Sequence, residues 1–276
     1  MSIITISRGT FSGGEALAKQ VAERLGYQCL SREMNLETAA KEYGVPAEQL
    51  TAEMEKRPSF WHRVGGERTA HLVFVRATLC EQARAGNLVY HGLVGQLLVP
   101  GISHVISVRA IVDMEARIQA VMQQQHLGHN EAVAHIEKVD KERRQWVRFL
   151  FDVEWDDPHL YDLVLNLSRM SLGAASETVA RLSERAEFKP TPISLKAMED
   201  LTLQSRVSAV LLRDPRTRDA ELTVTADDGM VEVNGQARWP DGVEAVSLVA
   251  QQVEGVKDLR SKVSFTSVPY ASRGEI

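Results

Sequence analysis

The sequence predicts an α/β protein, a parallel sheet with helices on both faces, followed by a small α+β domain. Three observations predict it. Up to residue 186, short apolar runs alternate with longer helical patterns, the signature of a parallel sheet with crossover helices. The first apolar run passes through a glycine-rich turn into an amphipathic helix, "IITISRGTFSGGEALAKQVAERLG". Further on, Asp227-Asp228-Gly229 stands between two alternating apolar runs, which is a hairpin signal.

The elements follow in order. Strands are expected at residues 3–7, 88–91, 104–108 and 162–167, and helices at 15–25, 33–43, 68–85, 114–125 and 131–151. Gly26, Gly44 and Gly86 stand where a left-handed C-terminal cap belongs, and Asn130 and Ser171 are expected as N-caps. "EFKPTPISL", residues 187–195, carries two prolines and no helical period, so it reads as a semi-rigid linker. A helix (201–212), a strand (221–226), a strand (230–237), a helix (242–252) and a strand (259–265) complete the second domain. The expected division is 1–186, a linker at 187–195, a small domain at 196–268 and a tail at 269–276.

Composition narrows the function. The chain has 276 residues, 44% of them hydrophobic and 25% charged, enough for an ordinary core. A formal net charge of -5 gives no reason to expect a nucleic-acid partner. Cys29 and Cys80 cannot form a disulfide framework and read as two buried free thiols. No apolar run approaches the ~20 residues of a membrane span, and residues 3–6 are too short for a signal core. A soluble cytoplasmic protein is expected.

The loop carries the first candidate chemistry. A triphosphate-binding loop of the usual kind reads G-x-x-x-x-G-K-[ST], and here Gly14 and Glu15 stand where the lysine and its neighbour belong. Successive small residues after a buried strand still let backbone N–H groups converge on an anion, and the helix that follows adds its positive end. On that reading Gly9, Thr10, Ser12, Gly13 and Gly14 form the phosphate cradle, with Arg8 as replacement cation. The plain alternative is that the glycines only permit a tight strand-to-helix turn, and spacing alone leaves both readings open.

"ISRGTFSGGEALAKQVAERLG", "VRAIVDMEARIQAVM" and above all "DKERRQWVRFLFDVEWDDPHLYDLVLNLSRMSL" together resemble the cytidylate kinase-like family. The resemblance spans residues 2–182. It implies a P-loop nucleoside-monophosphate kinase fold with a phosphate loop, an acceptor-nucleotide site and an arginine-rich lid, working on ATP or another nucleotide with Mg2+. The family loop lacks the lysine throughout. Ser7, Arg8, Ser12, Gly13 and Gly14 match it, whereas Phe11 replaces a glycine and Glu15 an arginine, a charge expected to weaken phosphate binding. In the lid, Asp140 and Arg143 match the D-x-x-R that contacts the acceptor, and Arg144 and Arg148 add cationic reach. Arg143 and Arg144 are thereby the residues the resemblance offers for catalysis.

Two departures bear on turnover. Ser31 stands where the family has an aspartate, and Leu93 where it has an arginine. A serine takes no proton at neutral pH without an activating base, and a leucine holds no phosphate. His91, at a strand end, reads as a hydrogen-bonded structural residue, with a role at the acceptor site as the alternative. His126, His129 and His135 lack metal-ligand spacing, so no metal site is assigned. The carboxylates of "DVEWDDPHLYD" read as turn caps in preference to cation ligands.

"DDGMVEVNGQARWPDGVEAVSLVAQQVEGVKDLRSKVSF" looks like a BON domain, with Gly229, Val231, Val233, Gly235, Gly255 and Val256 matching its pattern. That family implies an α+β interaction module that touches phospholipid or a protein partner, and a docking role toward a protein partner is the expectation here. Its acidic balance offers no polybasic membrane patch. The long amphipathic helices 68–85 and 131–151 also suit a homo-oligomer, although burial within the domain explains them equally. Two functions follow. The first is a nucleotide- or phosphate-binding protein, catalytically impaired, that senses or regulates through its BON domain. The alternative is an active cytidylate-like kinase using ATP.

Overall fold

The computed structural model describes residues 2–55 and 67–265. In chain order the elements are β1 (Ile3–Arg8), α1 (Gly14–Leu25), β2 (Gln28–Ser31), α2 (Arg32–Tyr43), α3 (Ala47–Glu55), α4 (Glu67–Arg84), β3 (Leu88–Gly92), α5 (Gly95–Leu98), β4 (Val105–Ile111), α6 (Met114–Gln125), α7 (His129–Phe151), β5 (Leu163–Asn166), α8 (Leu172–Ser183), α9 (Pro192–Arg213), β6 (Glu221–Asp227), β7 (Met230–Ala237), α10 (Pro240–Gln251) and β8 (Asp258–Phe265). The chain divides into two compact units, Met1–Met198 and Glu199–Ile276.

In the first unit β1 is buried on both faces, as a run of Ile-Ile-Thr-Ile requires, and it takes the centre of a parallel sheet of order β2-β3-β1-β4-β5. Register sets Ile4 beside Val89 and Ile106, and Ile6 beside Val108. These face Leu17, Ala18 and Val21 of α1 and Ala175 and Val179 of α8. Each fully buried isoleucine contributes about 2 kcal/mol. Thr5 and its register partner Tyr90 point to the other face. There α5 lies so close that a Cβ on Gly95 would stand 2.4 Å from the Tyr90 ring. Helices therefore cover both faces, as expected.

Several ends are where the sequence places them. Gly26 and Gly44 close α1 and α2 with φ of 67° and 70°, Gly86 has φ 69°, and Ser171 accepts the Ala174 N–H at 3.2 Å. Asn130 is a correction: it lies inside α7, whose start is Gly128, because Glu131 reaches back to the Gly128 N–H at 2.8 Å. The stretch 187–195 is also not a plain linker. It holds a 3-10 turn (Ala186–Phe188) and the first turn of α9. Thr191 Oγ1 accepts from the Ser194 N–H at 3.1 Å while Ser194 Oγ accepts from the Thr191 N–H at 2.9 Å. This reciprocal cap puts Pro192 at the first helical position, where its missing N–H costs nothing. The unit boundary, between Met198 and Glu199, falls within α9. The helix expected at 68–85 is α4, with side chains described from His71 onward, and residues 266–276, including the expected tail, lie outside the described residues.

The second unit is a mixed sheet of order β6-β7-β8, with α10 crossing between the parallel pair β7 and β8. Leu203, Val207, Val224, Val233, Val246 and Val249 fill its core. Asp227 pairs with Met230, and Asp228 (φ 49°) and Gly229 (φ 84°) form the two-residue turn, both left-handed as such a hairpin demands. Gly235 has φ 141°, and a Cβ there would stand 2.0 Å from the Glu221 carbonyl oxygen of the neighbouring strand. Among the described residues, no helix is long and apolar enough to cross a membrane.

Gly235→Ala should therefore destabilise the second unit by about 2 kcal/mol or more, since backbone on both sides must move. Urea unfolding of the full chain checks this, and a loss below ~0.5 kcal/mol would show that the β6–β7 pairing accommodates the methyl group.

Candidate functional site

The first intrahelical bond of α1 runs from the Leu17 N–H to the Gly13 oxygen at 3.0 Å. The N–H groups of Gly13, Gly14, Glu15 and Ala16 consequently have no carbonyl partner among the described residues, and no side chain caps the helix. Such a terminus, with the positive end of the helix behind it, is a site for an anion. Gly14 is required sterically: a Cβ there would lie 2.5 Å from the Arg8 Cβ. Ser12 is buried with its Oγ unpartnered among the described residues, while its N–H bonds to Gly9 oxygen at 3.4 Å. Glu15 is turned to Lys19 at 2.8 Å, and that hydrogen bond leads the influences holding its carboxyl below the ordinary range.

Thr10 is held by two helices. Arg117 of α6 donates from Nε to the Thr10 carbonyl oxygen at 2.8 Å, and its Nη2 bonds both Asp140 oxygens at 2.9 and 2.8 Å. Arg143 donates from Nη1 to Thr10 Oγ1 at 2.8 Å. Asp140 and Arg143 share one face of α7 because they are three residues apart. Phe11 adopts φ 56°, and its ring packs against Ile118, Val121, Ala132 and Ile136, edge-on to His135 with centroids 6.5 Å apart. The structure thus brings Gly9, Thr10, Asp140 and Arg143 together.

It does not bring Arg144 to them. Arg144 Nε bonds Asp156 Oδ2 at 2.8 Å, and Arg148 pairs with Glu154 at 3.2 Å. Arg109 also binds Asp156, stacks 4.5 Å over the Trp155 ring and donates to the Trp155 oxygen at 2.7 Å. Trp155 in turn donates from Nε1 to Ser7 Oγ at 2.9 Å. Asp157 accepts from His159 N–H and Asp162 from Ser107 N–H. The acidic stretch therefore pairs with arginines as well as capping turns. Among the described residues no group of three or more His, Cys, Asp or Glu side chains is placed to hold a metal ion. Arg8 keeps Nη2 3.5 Å from Glu33, and its buried Nε has no partner among the described residues.

On the far side of β1, Ser31 caps α2 by accepting the Met34 N–H at 3.0 Å, and Leu93 is buried. Val94 has φ 50°, a costly conformation for a β-branched residue. Register places His91 between Ile6 and Ser31. Among the described residues its buried Nδ1 has no hydrogen-bond partner, which corrects the expectation of a satisfied structural histidine. Burial, then the Arg8 charge, pushes its pKa down to about 4, so the ring is neutral at pH 7. Sequence reasoning missed Arg117. Its only signal is an arginine in the first turn after Asp113, and nothing in that spacing aims it at a loop more than a hundred residues away.

Comparison with known proteins gives matches along both units. The model of the cytidylate kinase-like family matches residues 3–169, more than half of the chain, and that of the BON domain matches residues 199–267. A cytidylate kinase of Ignicoccus hospitalis is 26% identical over 184 residues, covering 66% of this chain and 99% of the relative. One of Pyrococcus horikoshii is 24% identical over 169 residues, covering 61% and 81%. An uncharacterized protein from Eubacterium ventriosum superposes with a TM-score of 0.50 at 19% identity, covering 67% of this chain and all of that one, a likeness of fold.

The depressed His91 pKa has a sign. Between its folded value of about 4 and the ordinary 6.5 the unfolded chain binds the extra proton, so this contribution to stability is complete above pH 6.5 and is lost as pH falls toward 4. His91→Gln should remove that component. Urea unfolding at pH 7 and pH 5 should show wild type losing more stability than the variant, and parallel losses would contradict a buried neutral ring.

Proposed function

The chain belongs to the cytidylate kinase-like family, and on that premise we propose that it binds a nucleotide through its phosphates at the loop of residues 8–14 and transfers phosphate very slowly. The observation that carries this is the set of four N–H groups, Gly13 to Ala16, without carbonyl partners among the described residues, in a loop where Arg8 lies against Gly14 and Arg143 bonds Thr10. Phosphate oxygens would accept from those N–H groups, and Arg143 would move from the Thr10 hydroxyl to a phosphate or hold both. Mg2+ would arrive with the nucleotide, held through its phosphates and waters, since among the described residues no cluster of side chains is placed to hold a metal by itself. There it would neutralise phosphate charge.

Slow transfer follows from how the acceptor groups are used. Ser31 is committed to capping α2, and Leu93 is apolar and buried. The BON domain supplies docking to a protein partner, which makes a cytoplasmic sensor or regulator, alone or as a homo-oligomer, the reading that uses both parts of the chain. One observation favours the active-kinase alternative: His91 stands in register beside Ser31 with a neutral, unpartnered Nδ1. In that case an ionised phosphate oxygen of the acceptor attacks the terminal phosphorus and the P–O bond to the leaving diphosphate breaks, with His91 positioning the acceptor and taking no proton.

Calorimetry with ATP, CTP and CMP, with and without Mg2+, followed by a transfer assay on ATP with CMP, separates the two. Triphosphate binding weakened about tenfold by Arg143→Ala, with turnover undetectable, is the expected result. Robust turnover with ATP and CMP would establish the kinase instead, and its loss in His91→Ala would assign His91 the positioning role.

A further inference from the structure

The loop has an attachment that a phosphate-binding turn does not require. Phe11 carries a left-handed backbone that glycine adopts freely and phenylalanine rarely, and its ring is inserted between α6 and α7. The residue beside it, Thr10, is bonded at its carbonyl by Arg117 from α6 and at its hydroxyl by Arg143 from α7. Asp140 then ties the two helices together through Arg117, with both side chains largely buried. Two adjacent loop residues thus join both helices, one by apolar packing and one by charge-assisted hydrogen bonds. An unstable backbone conformation persists only where its surroundings over-determine it, and here the surroundings are the hairpin.

We propose that Phe11 and Thr10 are positioning residues that latch the α6–α7 hairpin onto the loop before any ligand binds, so that hairpin opening and anion binding are coupled. In this account Asp140 holds the loop through Arg117 and does not touch an acceptor. The latch stands on contacts within the protein alone, whereas its coupling to an anion rests on the phosphate site proposed above. Glycine at position 11 would relieve the backbone strain and remove the ring together, freeing the hairpin at the loop end.

The test is amide hydrogen exchange on the full chain, for wild type, Phe11→Gly and Thr10→Val, with and without inorganic pyrophosphate as the probe. Without ligand, exchange in residues 114–151 should quicken about tenfold or more in Phe11→Gly and less in Thr10→Val, which keeps the Arg117 bond to the Thr10 carbonyl. The sheet should not change. Pyrophosphate should slow the hairpin again in Phe11→Gly. Wild-type exchange in both variants would overturn the latch. Should Phe11→Gly loosen the sheet as well, Thr10→Val decides: acceleration confined to 114–151 supports the latch, and none refutes it. Acceleration in the variants with no response to pyrophosphate in any protein would leave the latch standing and remove both the coupling and the phosphate site.

Discussion

Arg117 bridges the Thr10 carbonyl and the Asp140 carboxylate, and the upper edge of the first unit is arranged around that bridge. A guanidinium offers several donors in a fixed plane, so one side chain can fix a loop carbonyl and a helix carboxylate at once. With Arg117 and Asp140 both largely withdrawn from solvent, breaking the pair from either side leaves an uncompensated charge. The loop between β1 and α1 therefore has one well-defined path. After that loop the first four N–H groups at the start of α1 have no carbonyl partner among the described residues, as at any helix N-terminus.

The remaining cations differ in how firmly they are held. Arg144 with Asp156 and Arg148 with Glu154 are exposed pairs, of a kind that contributes about 0–1 kcal/mol, so a multiply charged phosphate can compete for these arginines. Arg109 is less available, because stacking on Trp155 and a bond to its carbonyl hold it from two directions. The positive charge is thus of two kinds, one built into the fold and one on loan to surface carboxylates. The Lys19 ammonium beside Glu15 belongs to the second kind and offsets the negative charge at the start of α1.

The sheet was legible where burial on two faces leaves a continuous apolar run, as in β1 and β3, and the hairpin where two left-handed positions demand Asp-Gly. β2 was not, because four residues at a sheet edge, half of them polar, carry no period. Thr191-Pro192 has two meanings, a turn in an extended linker or the N-cap and first residue of a helix, and only Ser194 three residues after Thr191 distinguishes them. At the site, glycines and the Asp140–Arg143 spacing are local signals and could be read. Arg117 meeting Thr10, Trp155 meeting Ser7 and Phe11 entering the α6–α7 cluster join residues far apart in sequence, and no local pattern encodes such contacts.

The most direct measurement of the central claim is a titration of the isotopically labelled protein with pyrophosphate, following backbone amide resonances by NMR. The account predicts that the largest shifts fall at Gly13, Gly14, Glu15 and Ala16, whose N–H groups would point at the anion. Saturable shifts centred elsewhere, or none at those four amides, would show that the glycines serve only the turn and that the loop is not a phosphate site.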